Sequence, residues 1–266
     1  MTIFAKDALE DRHILVTGAT GGIGYETAKV IATMGAKVTI TGRNQEKLSQ
    51  LEAELLDLTD EKRLYSVAAD ITDEADRTKL IEGAKKKLGF ISGLVNSAGV
   101  AGGEKVEELD EDYIENMMQL NYFSTFSLTK AIYRDMIKHQ KGDIVNVASL
   151  SGLRGTYGNS AYASSKFALV GWTQSMAVEA IEHNVRVNAV CPGFVETDMA
   201  KGLIRKKAER SQVSYDEALD KVKKGLPSGR LTSAEEVANT IAFLLTDAAK
   251  NIVGESVKIS GGSVMR

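Results

Sequence analysis

Thr17-Gly18-Ala19-Thr20-Gly21-Gly22-Ile23-Gly24 is the stretch that decides the fold. An apolar run at 14–16 leads into it and a helical pattern at 24–34 leads out, so its glycines stand where a strand passes into a helix. At such a crossing in a parallel sheet, backbone N–H groups and the positive helix end are presented to a dinucleotide pyrophosphate. Gly18, Gly22 and Gly24 let the chain turn tightly, let backbone approach phosphate without a Cβ in the way, and let helix pack close to strand. Thr20 and Ile23 share the loop. A glycine-rich turn alone also fits a plain tight turn; its place after the first strand favours a binding loop.

Outward from this loop, short β-branched runs at 14–16, 38–41, 64–68, 94–96, 144–147, 185–189 and 256–259 alternate with helical patterns at 24–34, 45–58, 73–88, 110–139, 161–183 and 234–245. The runs are nearly all apolar, as parallel strands covered on both faces must be. The alternation predicts an α/β fold of repeated βαβ units: a doubly wound, seven-stranded parallel sheet with helices on both faces, in a single domain over 1–266. Ser233 and Glu236 have the spacing of a capping box at the head of the last helix. Between 197 and 227 the alternation pauses in a long, mostly helical insert, and inserts of that size are more often lids than idle loops.

The 266 residues are 43% hydrophobic, enough for one large core. A net charge of −3, from 33 basic and 36 acidic residues spread along the chain, argues against nucleic acid or a membrane surface as partner. No apolar run approaches the roughly 20 residues that cross a bilayer, and the first residues lack a basic segment followed by an apolar one, so a cytoplasmic protein is expected. Cys191 is the lone cysteine and His13, His139 and His183 are scattered, which leaves no spacing for a disulfide or a metal.

The residue about 18 positions beyond the last glycine selects the nicotinamide cofactor, because an acidic side chain there accepts the ribose 2′-hydroxyl and repels a 2′-phosphate. Gly42 and Arg43 hold that place here, followed by Asn44. A guanidinium grips a phosphate through paired charge-assisted hydrogen bonds, which predicts NADP(H) over NAD(H); the bland alternative is a solvated arginine opening a helix. Asp70, followed by Ile71, stands where it could meet the adenine edge or equally cap the next helix.

The run richest in chemistry is Ser160-Ala161-Tyr162-Ala163-Ser164-Ser165-Lys166. Tyr162 and Lys166 are four apart and share a helix face. A phenol ionises near pH 10, and an adjacent ammonium favours the phenolate, so the pair is a candidate proton-transfer unit. Ser149, just past the fifth strand, could place a hydroxyl on the same substrate oxygen, and Asn121 could hold a water that feeds protons to Lys166. Taken singly, each is as well explained by packing, capping or solvation; jointly those explanations become improbable.

With these residues in family order and at family spacing, the chain resembles the short-chain dehydrogenase/reductase family over essentially its whole length. The resemblance also covers the Asn96-Ser97-Ala98-Gly99 turn and Pro192-Gly193 with Val195 and Thr197, although the family usually has a second asparagine where this chain has Ser97. It implies a Rossmann-type fold in which Tyr162 is the general acid/base and Ser149 stabilises the reacting oxygen. Lys166 then lowers the tyrosine pKa and binds ribose, and Asn121 completes a proton relay. Asn96, Ala98 and Gly99 line the adenosine side, and Pro192, Gly193, Val195 and Thr197 the nicotinamide side. A homotetramer built through the segments 110–139 and 161–183 is also implied, with Met117, Met118, Phe126, Phe167 and Trp172 as contacts or, equally, as core.

The stretches 192–199 and 229–262 resemble bacterial 3-oxoacyl carrier-protein reductases, while the insert at 201–224 is similar to the lid of polyketide ketoreductases and 3-hydroxybutyrate dehydrogenases. That insert carries Lys201, Arg205, Lys206, Lys207, Arg210, Lys221, Lys223 and Lys224 against Glu209, Asp216, Glu217 and Asp220, a local excess that could attract an acyl thioester on CoA or on an acidic carrier protein. Solvated helix faces explain it as well. Ser151, Arg154 and Tyr157 are further pocket candidates. The small-molecule substrate is thus expected to be a 3-oxoacyl thioester. The alternatives are a hydroxysteroid, a cyclic alcohol, a sugar or 3-hydroxybutyrate, or a non-catalytic NADP(H) sensor.

Overall fold

Four strands are buried along their whole length: β1 (His13–Thr17), β4 (Gly93–Asn96), β5 (Gly142–Val147) and β6 (Val185–Pro192). Such strands need cover on both faces, and the computed structural model, which describes residues 3–265, supplies it with helices. With β2 (Lys37–Gly42), β3 (Leu64–Ala68) and β7 (Ser256–Ile259) they form one parallel sheet in the order β3-β2-β1-β4-β5-β6-β7. Chain direction across the sheet reverses between β1 and β4, which opens a crevice at the carboxyl ends of those strands. The expected doubly wound, single-domain α/β architecture is what forms.

One face is covered by α1 (Gly22–Thr33), α2 (Gln45–Leu56) and α9 (Ala234–Leu245), through Ile31, Leu48, Leu51 and Ile241. The other is covered by α3 (Glu74–Leu88), α5 (Ser124–His139) and α6 (Ser160–Ala180), through Leu80, Leu128, Ile132 and Met176. α9 opens on the expected capping box of Ser233 and Glu236. The insert folds into α7 (Asp198–Ser211) and α8 (Tyr215–Lys224), joined by Ile204, Ala208, Ala218 and Val222.

The pattern read as one helix over 110–139 is two helices. α4 (Glu111–Met118) passes into a π-helical turn, Gln119–Phe123, before α5 begins. A single π-helical turn carries no helix start or stop signal of its own, so no capping or breaking residue in the sequence marks it. Met117, read as core or contact, is buried, whereas Phe167 stays about half exposed.

At the amino ends of the strands, Asp143 is held between two guanidiniums, Arg12 to Oδ2 and Arg186 to Oδ1, each at 2.5 Å. Arg186 also donates to the carbonyls of Leu244, Thr246 and Ala249, so the buried charge is compensated on every side.

Candidate active site

The loops that leave β1 to β6 converge on one cavity of about 1060 Å³, lined in turn by Gly18, Arg43, Asp70, Ser97, Ser149 and Gly193. The glycine loop is shaped by its neighbours. Gly18 has φ +63°, and a Cβ there would lie 2.7 Å from the backbone of Ala98. One on Gly24 would lie 2.4 Å from the Gly18 carbonyl oxygen, and one on Gly22 would meet Thr197 Cγ2 at 2.5 Å. Gly24 therefore sits beneath the loop, off the cavity wall, while Gly18, Thr20, Gly22 and Ile23 lie on it.

The N-cap of α1 is Gly21, which has no side chain to bond the first-turn N–H groups, and that turn holds no acidic residue. By contrast α2, α3, α4, α7, α8 and α9 each carry a side-chain cap. Helix α1 thus presents unneutralised donors to the cavity, and a phosphate group fits there.

Beside the ends of β2 and β3, Arg43, Asp70 and Ile71 line the wall. Asp70 Oδ1 accepts from Thr72 N at 2.9 Å and Thr72 Oγ1 at 2.8 Å, and these bonds, with the nearby Arg43 charge, hold its carboxyl below the usual range. Asp73 takes the cap of α3. Asn44 departs from the expectation: it is the N-cap of α2, accepting from Lys47 N at 2.9 Å, and lies off the cavity wall.

Asn96 departs as well. Its Nδ2 donates to Thr129 Oγ1 at 2.9 Å and Asn146 Oδ1 at 2.8 Å, and Asn146 donates in turn to Thr173 Oγ1 at 2.8 Å. This buried chain ties β4 and β5 to α5 and α6, and it leaves Ser97, Ala98 and Gly99 on the wall.

At the opposite end lie Ser149, Tyr162 and Lys166. Ser149 Oγ accepts from Ser151 N at 3.1 Å, which fixes the hydroxyl at the head of a single 3₁₀ turn, Leu150–Gly152. Burial raises the Tyr162 phenol above its ordinary value, with a hydrogen bond to Ser149 acting in the opposite direction. Lys166 Nζ lies 5.8 Å from the Tyr162 ring centroid and donates to the Val147 carbonyl at 2.9 Å. Burial lowers its pKa to about 8. Lys166, expected from the sequence to lower the phenol pKa, turns its ammonium toward a backbone oxygen, and burial sets the direction of the phenol's shift.

Asn121 lies in the π-helical turn, fully buried. Its Oδ1 accepts from Val100 N at 2.8 Å, and its Nδ2 donates to Val100 O at 3.0 Å and Ser165 Oγ at 3.0 Å. The side chain is committed to clamping the loop after β4 to α6, and it is not presented to the cavity as a water site. A Cβ on Gly99 would be 3.0 Å from Asn121 Oδ1 and 3.6 Å from Lys166 Nζ, so three predicted residues do converge.

Ser151, Arg154, Tyr157, Pro192, Gly193, Val195 and Thr197 all line the cavity, the last as N-cap of α7. The sequence reading missed Lys47, Leu120, Met199 and Leu203, which share the wall. A lysine in the first turn of a helix was the signal available for Lys47; the apolar three are indistinguishable from core in a sequence.

The family model for short chain dehydrogenases matches residues 12–208. An uncharacterized oxidoreductase of Bacillus subtilis, YxjF, is 34% identical over 93% of this chain and 96% of its own. The 3-oxoacyl-[acyl-carrier-protein] reductase FabG of Escherichia coli is 33% identical over 96% and 98%. Among solved structures, a variant of actinorhodin polyketide ketoreductase with NADPH superposes with a TM-score of 0.91 at 30% identity, covering 98% of this chain and 99% of its own.

Proposed function

The chain belongs to the short-chain dehydrogenase family, and from that premise we propose that it is a cytoplasmic, NADP(H)-dependent reductase of 3-oxoacyl thioesters. The carrying observation is the order of groups along one cavity: Arg43 at one end, the uncapped start of α1 between, and Tyr162 with Ser149 and Lys166 at the other. NADP(H) in that cavity supplies or takes up a hydride at the nicotinamide. The chain's own part is the proton. Burial keeps the Tyr162 phenol protonated near neutrality, so in the reductive direction it donates to the substrate oxygen, and in oxidation its phenolate takes the proton back. Ser149 shares the charge that develops on that oxygen. Lys166 would hold the cofactor ribose, Gly18, Thr20, Gly22 and Ile23 the pyrophosphate, and Val195 and Thr197 the carboxamide.

The thioester is supported by the lid. Lys206, Lys207, Arg210 and Lys221 face the cavity, and Arg210 bridges its mouth to Glu104 at 2.7 Å. Phosphates of CoA or of an acidic carrier protein suit such a rim. We expect NADPH to be preferred over NADH at least tenfold in kcat/KM, and Lys206→Gln with Lys207→Gln to raise KM for acetoacetyl-CoA about fivefold at unchanged kcat. An unchanged KM would redirect the reading to a hydroxysteroid, a cyclic alcohol, a sugar or 3-hydroxybutyrate. Tight NADPH binding without turnover of any of these would leave a sensor.

Phe123, Phe167 and Val178 are 49%, 46% and 71% exposed along the π-helical turn and α6, which supports a homotetramer joined through these helices. Light scattering on a sizing column should then give four times the 28.7 kDa chain mass, and a monomer peak removes the assembly.

A further inference from the structure

Lys47 is placed where a helix disfavours it. It lies in the first turn of α2, at the positive end, where Glu46 is that turn's acidic residue. Its Nζ extends to Asp198 Oδ2 at 3.6 Å. Asp198 is the first residue of α7, so the pair joins the element after β2 to the element after β6, on opposite flanks of the crevice. Lys47, Asp198 and Arg43 line the same cavity. The side chains of the pair are 49% and 85% exposed, so the contact is screened and easily exchanged.

We propose that Lys47 is a second cation for the cofactor 2′-phosphate, beside Arg43, and that Asp198 holds it until the phosphate takes its place. The proposal rests on the NADP(H) reading above. A phosphate monoester carries about −1.5 to −2 near neutral pH against −1 for a carboxylate, so the ammonium moves toward the phosphate when both are within reach. Arg43 grips through its planar fork; Lys47 adds a point charge that reaches the same anion from one helical turn away. An NADH molecule, with a bare 2′-hydroxyl, leaves Lys47 on Asp198. Cofactor choice is thus divided between a residue the sequence announces and one that only the fold brings to the site.

Fluorescence titration of the whole protein with NADPH and with NADH tests this without turnover. Wild-type protein that binds NADPH no tighter than NADH removes the NADP(H) reading and this inference together. Where wild type does prefer NADPH, Lys47→Gln should weaken NADPH about five- to tenfold and change NADH less than twofold. Asp198→Asn, which frees the ammonium, should tighten NADPH about two- to threefold and leave NADH unchanged. Arg43→Gln serves as reference, with a larger loss confined to NADPH. A Lys47→Gln protein whose NADPH-to-NADH affinity ratio equals that of wild type overturns the proposal while the NADP(H) reading stands. An Asp198→Asn protein that loses both cofactors equally also overturns it, because the pair would then serve only to brace α7. Melting temperatures of the cofactor-free variants, expected within about 2 °C of wild type for exposed substitutions, separate binding from folding.

Discussion

At Tyr162, burial favours the neutral phenol. A phenol that stays neutral is a ready donor, and Tyr162→Phe removes the proton while keeping the ring that packs beside Lys166. Turnover should fall at least about a thousandfold, with NADPH affinity within twofold of wild type as read by fluorescence; wild-type-like turnover would retire Tyr162 as the acid. The pairing of Tyr162 with Lys166 was legible because four residues are one helical turn. The direction of the phenol's shift was not, because it depends on how deeply the site is sealed. The clamp of Asn121 on Val100 depends on a partner 21 positions away that no spacing announces.

Among elements, the strands were legible and their polar interior was not. The run at 14–16 is apolar because helices cover both faces, a demand of the fold that is written directly into composition. Asn96 and Asn146 break that rule in neighbouring strands and answer each other across the β4–β5 pair. The family resemblance implied Asn96 for the cofactor; the register turns it to α5, where Thr129 receives it. Asn146→Leu deletes one member and takes one partner each from the amide of Asn96, which keeps Thr129, and the hydroxyl of Thr173, which keeps the Leu169 carbonyl. Urea denaturation should show a loss of about 2–4 kcal/mol with the slope unchanged, and a change below about 0.5 kcal/mol would mean that the chain of bonds contributes little. The π-helical turn at Gln119–Phe123 is the other feature that no capping or breaking residue marks, and it places Asn121 between Val100 and Ser165.

The whole molecule divides its polarity between the two ends of its sheet. Carboxyl ends carry the cavity; amino ends carry the Arg12–Asp143–Arg186 cluster and His13. His13 Nδ1 faces the Gly89 carbonyl and Nε2 the Thr39 hydroxyl, each at 2.9 Å, which suits the neutral ring, and burial lowers its pKa to about 4. An unfolded chain protonates this ring near 6.5 and the folded one only near 4, so its contribution is complete above pH 6.5 and disappears on the way down to 4. It amounts to about 3 kcal/mol across that window. His13→Gln should flatten the pH dependence of urea stability between 6.5 and 4 relative to wild type, and parallel curves would contradict the assignment.

Thr197 resting on Gly22 means that the N-cap of α7, the start of the proposed substrate cover, and the glycine loop at the head of α1 occupy one volume. Grafting a foreign cover onto this scaffold to change its specificity therefore has a hidden requirement. The donor's residue at that junction must be no bulkier than threonine, or the chimera loses grip on its coenzyme before its new pocket is ever sampled.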